Sequence, residues 1–358
     1  MYAVIMAGGK GSRFWPRSRE KKPKHLLDIT GEKTIIQETV HRIKPLISPD
    51  NILVVTGKKH AVALMKQIPE IPSQNIIIEP EGKNTAACIG LAALHIHKVA
   101  QDDVMIVLPY DHLIADSEKF MDVLKAAGQA ASEDGRLVTI GIKPSSVQTG
   151  FGYIEQGSLF KQMGHEEIFR VKSIREKPDY RQAQEFIASG NFYWNSGIFI
   201  WKTSTILKEI SRWLPELYAG LAKIKEALGS PDESKIVPRV YRTLKSISID
   251  YGIMEKADNI FMLHGDFGWS DVGSWDTLWE ISDKDQKGNV LIRDSKFISE
   301  DSEGSLVYNP RKLTALVGVK DLLIVETNDA LLVCKRGRSQ DVKKIVEKLE
   351  ADKLKKYL

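Results

Sequence analysis

The feature that most constrains the fold is an alternation repeated through the first 145 residues. Short apolar runs at Ala3–Ala7, Ile52–Thr56, Ile76–Ile78, Val104–Leu108 and Leu137–Ile142 alternate with helical patterns at Ile35–Ile43, Ala61–Gln67, Thr85–Val99 and Phe120–Ala131. Runs that are apolar along their whole length belong to strands buried on both faces, and helices between them supply the crossovers of a parallel sheet. The layout is a doubly wound α/β domain. In such sheets ligands bind beyond the carboxyl ends of the strands, which directs attention to the residues following each run.

From residue 150 the pattern is mixed. Strands are expected near Gly152–Glu155, Phe169–Arg175 and Gly197–Trp201, and helices from Tyr180, Thr205 and about Val237, with Ser248 as a cap before IDYGIMEK. This extends the first layout into one domain over 1–283, with halves 1–145 and 146–283. After Asp283 a polar, turn-rich DKDQKGN precedes short apolar runs, VLI, SLVY, TALVG, LLIVE and ALLVC. These predict a small C-terminal β domain over 284–358. Val342, Ile345, Val346 and Leu349 at helical spacing predict an amphipathic helix at its end.

Charge and composition exclude several classes. Of 51 Lys and Arg against 47 Asp and Glu, nine basic and four acidic residues lie from Lys335 onward, so the rest of the chain is close to neutral. A weakly basic tail on a neutral body is not the basic, aromatic-bearing face that nucleic acid requires. No apolar stretch approaches the roughly 18 residues of a membrane span. MYAVIMAGGKG lacks the basic segment of a signal peptide and reads as a first strand. Cys88 and Cys334 stand too far apart in sequence to suggest a disulfide framework, and the histidines, among them His25, His60, His95, His97, His112 and His264, show no zinc spacing. A cytoplasmic protein is expected.

The residues after the strands carry the chemistry. Gly8, Gly9 and Gly11 follow the first run, and such glycines let backbone N–H groups approach an anion closely. The stretch is neither a Walker loop nor a dinucleotide fingerprint, because Ser12-Arg13 and Phe14 break those patterns. Lys10, Arg13, Arg17, Arg19, Lys21, Lys22 and Lys24 follow, against Glu20 alone. They read either as a solvated basic loop or as a triphosphate cradle. Asp111 follows the fourth run, and Asp271 sits in the turn-like GWSDVGSW. One or two carboxylates plus substrate phosphates suffice for Mg²⁺. Glu176-Lys177 in REKP offers an acid–base pair, Asn195 in YWNSG an amide for hydroxyls, and EPEGKNT a loop in which Asn84 either caps a helix or reads a base edge.

Taken in order, GGKGSRFWPRSREKKPKHLL, EPEGKNTAACIGLAA, VLPYDHLI, TGFGYIE, REKP, YWNSGIFIW, SIDYGIMEK and GWSDVGSW resemble the bacterial-type mannose-1-phosphate guanylyltransferases, or GDP-mannose pyrophosphorylases, of the sugar-nucleotidyltransferase superfamily. The resemblance covers nearly the whole chain. It implies a Rossmann-like nucleotidyltransferase domain with a mixed sheet, whose nucleotide half is about 1–145 and sugar half about 146–283. The implied reaction is Mg²⁺-assisted in-line attack by mannose 1-phosphate on the α-phosphorus of GTP, giving GDP-mannose and pyrophosphate. Gly8, Gly9, Gly11, Ser12, Arg13, Lys24, Gly82, Asn84 and Thr85 would hold the nucleotide. Arg13, Lys24, Asp111 and Asp271 would be catalytic, the two aspartates as metal ligands. Gly152, Glu176, Lys177 and Asn195 would hold the sugar phosphate. Longer relatives carry an isomerase domain after the β region, and only about 75 residues follow Asp283 here, so a monofunctional enzyme is expected. A homodimer is expected too, because a short β domain with open edges needs covering. Two alternatives stay open: the same chemistry with another nucleotide or glucose 1-phosphate, and a silent relative that binds sugar nucleotides.

Overall fold

A computed structural model describes every residue except Lys10, Thr30 and Asp134. Its strands, in chain order, are β1 (Tyr2–Ala7), β2 (Ile52–Gly57), β3 (Ile76–Glu79), β4 (Val104–Pro109), β5 (Leu113–Ile114), β6 (Leu137–Ile142), β7 (Gly152–Met163), β8 (Glu166–Glu176), β9 (Phe192–Lys202), β10 (Ile260–His264), β11 (Trp269–Ser270), β12 (Val290–Leu291), β13 (Phe297–Glu300), β14 (Leu306–Tyr308), β15 (Thr314–Val317), β16 (Leu322–Glu326) and β17 (Leu331–Lys335).

The main sheet has the order β3-β2-β1-β4-β9-β6-β10-β8-β7. Strands β1 to β4 are parallel, as their apolar runs require. Alternate residues feed two cores: Ala3, Ile5 and Ala7 of β1 face one layer of helices, and Val4 faces the other. Strand β9 is inserted antiparallel between β4 and β6. Strand β7 pairs with both β8 and β9, so β9, β6, β10, β8 and β7 close on one another beside the parallel half. The sheet is therefore mixed, and the YWNSG motif lies inside β9 where the spacing suggested the start of a strand.

Helices over Ile35–Ile43 and from Tyr180 begin where the sequence places them. Three others run longer than their apolar cores, over Lys58–Gln67, Asn84–Ala100 and Ser117–Ser132. The Ser248 hydroxyl accepts from the Tyr251 N–H at 3.2 Å, but the element that follows is a short π-helical turn over Asp250–Met254 whose capping position is Ile249. Helices at Pro215–Ala227 and Trp275–Ile281 were not anticipated.

The C-terminal runs form the expected strands. β12, β14 and β16 stack in parallel, β17 returns antiparallel, and β13 pairs with β15. The helix Val342–Ala351 then packs Val342 and Val346 into the same core as Phe14, Trp15 and Trp275. The Trp15 indole N–H donates to the Tyr357 carbonyl at 2.8 Å, which ties the C-terminal segment to the loop after β1.

Candidate active site

The loop after β1 turns sharply. Gly9 stands at φ +97 and Gly11 at φ +59, both in the region glycine occupies without strain. A short 3-10 turn follows over Ser12–Phe14, and a second over Lys24–Leu26 folds Lys24 back beneath Gly11. Lys24 is 3% exposed. Its ammonium donates to Asp111 Oδ2 at 2.6 Å and approaches the Asp271 carbonyl oxygen at 3.4 Å. The three residues that the sequence scatters over 248 positions thus meet at one point.

Asp271 is held by its own loop. The Gly273 N–H donates to Asp271 Oδ1 at 3.2 Å, and the intervening Val272 adopts φ +41, which a β-branched residue rarely does. Burial raises the Asp271 carboxyl above its usual range, Lys24 draws it part of the way back, and the nearby Asp111 charge adds to the rise. A bound cation would relieve that burden. Among the described residues no group of three or more His, Cys, Asp and Glu forms a closed metal cage. Two carboxylates at an open cavity match a hard cation that completes its shell with phosphate oxygens and water.

That cavity measures about 820 Å³. Gly8, Gly9, Gly11, Ser12, Arg13, Lys24, Gly82, Asn84, Thr85, Asp111 and Asp271 all line it, so the structure brings the nucleotide and catalytic candidates together. Asn84, at φ +66, opens the helix Asn84–Ala100, and its Oδ1 accepts from the Thr85 N–H at 2.9 Å. The Thr85 hydroxyl is turned elsewhere and accepts from the Ile249 N–H at 2.8 Å.

The triphosphate-cradle reading of the basic loop needs correction. Arg17 is buried, ion-paired with Asp28, and its guanidinium lies 4.2 Å over the Tyr308 ring. Arg19 pairs with Asp329 at 2.9 Å. Lys21 and Lys22 line a different hollow, against the C-terminal strands. These four serve the junction with the β domain, because the 3-10 turn at Ser12–Phe14 swings them away from the cavity. Arg13 and Lys24 face it, and Lys10 lies outside the described residues.

Gly152, Glu176, Lys177 and Asn195 form a second cluster, outside the lining of the first cavity. A Cβ on Gly152 would lie 2.5 Å from Glu176 Oε2 and 3.2 Å from Asn195 Cβ, so the glycine makes room for both. Asn195 donates from Nδ2 to Asp250 Oδ1 at 2.8 Å, and its Oδ1 accepts from the Gly197 N–H at 3.2 Å. The Glu176 backbone N–H donates to Glu255 Oε1 at 2.8 Å. Lys177, at φ +51, pairs with Glu176 at 2.7 Å.

Sequence reasoning missed two carboxylates. Burial, with the Glu176 charge adding to it, pushes Asp250 up to about 6. The one available signal was its place in SIDYGIMEK. Glu79, at the end of β3, lines the first cavity and accepts from the Tyr241 hydroxyl at 2.7 Å. Burial raises its carboxyl and the tyrosine bond offsets part of the rise. Its signal was its place at the carboxyl end of a parallel strand.

The cavity gathers glycines, a buried lysine paired with Asp111, and the loop that carries Asp271, and the fold is that of the nucleotidyltransferases. Residues 2–288 match the nucleotidyl transferase family, and residues 295–349 match the mannose-phosphate isomerase/GMP-like beta-helix domain. The mannose-1-phosphate guanylyltransferase of Klebsiella pneumoniae is 40% identical over 99% of this chain and 75% of its own length. The Escherichia coli enzyme of the same name shares the same identity and coverage. A crystal structure described as a mannose-1-phosphate geranyltransferase from Thermus thermophilus superposes with a TM-score of 0.86, at 32% identity over 98% of this chain and 99% of that one. The chain belongs to the mannose-1-phosphate guanylyltransferase family. Nucleotidyltransferases generally work with a divalent metal. Among the described residues no helix is long and apolar enough to cross a membrane.

Proposed function

We propose that this chain transfers GMP from GTP to mannose 1-phosphate. A phosphate oxygen of the sugar phosphate attacks the α-phosphorus of GTP, the bond from that phosphorus to the bridging oxygen breaks, and pyrophosphate leaves. The observation that carries the reading is the meeting of Lys24, Asp111 and Asp271 in one glycine-lined cavity. Reactions of this kind ask for positioning and charge stabilisation and need no protein nucleophile.

Lys24 is the cation for the α-phosphate. Its burial deprives it of competing water, which strengthens its interaction with the charge that develops during transfer. Backbone N–H groups of Gly8, Gly9, Gly11 and Ser12, with Arg13, hold the remaining phosphates. Asp111 and Asp271 would hold Mg²⁺, which would supply positive charge against the phosphates. Glu79 beside Gly82, Asn84 and Thr85 suits guanine, whose N1–H and exocyclic amine both donate, whereas adenine presents an acceptor at N1. Asn195, Glu176 and Lys177 offer both donors and acceptors to the sugar hydroxyls and phosphate, with Gly152 leaving the space.

The test is pyrophosphate release with Mg²⁺, across GTP, ATP, UTP and dTTP crossed with mannose 1-phosphate and glucose 1-phosphate. Dominant turnover with GTP and mannose 1-phosphate is expected. Dominance of another pair would overturn the base and sugar assignments and leave the phosphate site standing.

A cytoplasmic homodimer is part of the same proposal. Cys88 and Cys334 are both free, as in a reducing compartment. Ile298, Val317, Leu331 and Val333 of the C-terminal strands are each more than half exposed, which supports a covered face there. Light scattering should return about twice 40.2 kDa.

A further inference from the structure

We infer that the C-terminal helix completes the triphosphate site, with Lys343 as a cation for the phosphates that leave as pyrophosphate. The inference rests on the reading that the cavity takes a nucleoside triphosphate. Lys343 lines that cavity together with Gly8, Gly9, Ser12 and Arg13, although more than 300 residues separate it from them. Among the described residues it is the cavity's only lining residue from the C-terminal β region or its helix.

Three observations set it there. Val342 and Val346, at 2% and 9% exposure, seat the first turns of the helix on the core that holds Phe14, next in sequence to Arg13. Asp276 then hooks the loop leading into the helix. Its carboxylate accepts from the Gly337 N–H at 2.7 Å, from the Ser339 N–H at 3.0 Å and from the Ser339 hydroxyl. Asp276 lies five residues after Asp271, so one short segment fixes both the metal carboxylate and the approach of the helix. Last, Lys343 is lightly held. Its acidic neighbour on the helix is Glu347 at 3.5 Å, with the two side chains 62% and 56% exposed. An exposed pair of that spacing is weak, so the ammonium is free to turn from Glu347 to a polyphosphate.

The place along the triphosphate follows from which cations are already engaged. Lys24 is buried with Asp111 and Asp271, where the α-phosphate is transferred. Arg13 and Lys343 are exposed side chains lining the same cavity, and they are left for the phosphates on which negative charge accumulates as pyrophosphate departs. Lys343 is therefore a binding residue for the β- and γ-phosphates, and Asp276 a positioning residue acting through the helix.

Titration calorimetry of the full chain with GTP, GMP and inorganic pyrophosphate tests this, on the wild type, Lys343→Ala, Lys343→Arg and Asp276→Asn. Lys343→Ala should weaken GTP and pyrophosphate by about tenfold, the scale of one charge-assisted contact, and leave GMP unchanged. Lys343→Arg should recover most of the loss. Asp276→Asn should lower GTP and pyrophosphate affinity in the same direction while sparing GMP, a split that general loosening of the fold would not produce. Unaltered GTP and pyrophosphate binding in Lys343→Ala would overturn the inference, as would equal weakening of GMP. A wild-type chain that bound none of the three would remove the underlying reading of the cavity before any variant was compared.

Discussion

Gly11 and Lys24 approach so closely that only a hydrogen fits between them: a Cβ on Gly11 would lie 2.6 Å from Lys24 Cβ and 2.9 Å from Ser18 Oγ. Gly11→Ala therefore strains the backbone at φ +59 and also drives against the root of the lysine side chain, which cannot swing away. The expected loss is about 1–3 kcal/mol of stability. Displacing the ammonium should lower kcat on the order of 100-fold, the scale of about 1 Å of misplacement. Thermal melts and pyrophosphate-release kinetics on the same variant check both. A Cβ on Gly8 meets nothing within 4 Å, so Gly8→Ala should melt like the wild type.

Removing the charge alone separates chemistry from folding. Lys24→Ala should lower kcat by on the order of 10²–10³, with circular dichroism unchanged. Asp111→Asn and Asp271→Asn should each raise the Mg²⁺ concentration that gives half-maximal activity. Superimposable metal titrations in both would remove these aspartates from the metal site.

Base selection should reside in Glu79. Replacing its carboxylate by an amide puts a donor where guanine presents donors, so Glu79→Gln should cut kcat/KM for GTP by about 10- to 100-fold and narrow the preference over ATP. Tyr241→Phe removes the hydroxyl bonded to Glu79 but keeps the carboxylate, so selectivity should survive. Competition assays with GTP and ATP decide the matter.

Asp250 makes stability depend on pH. Its carboxyl titrates near 6 in the folded chain against 3.8 ordinarily, so the folded state holds an extra proton between those values. Stability therefore falls as pH rises from about 4 to about 6, and the cost of the buried charge is fully present above that. Asp250→Asn should abolish this slope and add about 3 kcal/mol at neutral pH. Urea denaturation at pH 4.5 and pH 7.5 measures it, and an unchanged difference between the two would refute the assignment.

The legible part of this chain was what repeats or clusters locally. Apolar runs located β1 to β4 and β6 almost to the residue, because buried parallel strands leave little room for polar side chains. The residues following them include Gly11, Lys24 and Asp111, which do line one cavity. Direction and partnership were not legible. Nothing in YWNSGIFIW reveals that β9 runs antiparallel beside β4. Arg17 and Arg19 looked like phosphate ligands because their partners, Tyr308 and Asp329, lie about 300 positions away. Glu79, Asp250 and Lys343 were missed for the same reason: each acquires its surroundings through tertiary contact, and position in a motif or at a strand end is a faint mark beside it.

Strand β9 gives the two clusters a common ruler. Asn195 lies within it, Gly197 follows at φ +72, and Phe199 and Ile200 are laddered to Val107 and Ile106 of the strand that leads to Asp111. On the proposed assignments, the sugar end and the metal end of the reaction are ruled off along a few residues of one hydrogen-bonded ladder. Lengthening a loop elsewhere in the chain leaves that ladder as it is. The separation between acceptor and α-phosphorus is then a property of the sheet itself, and changes of sugar or base preference must come from side chains that decorate the ruler without restretching it.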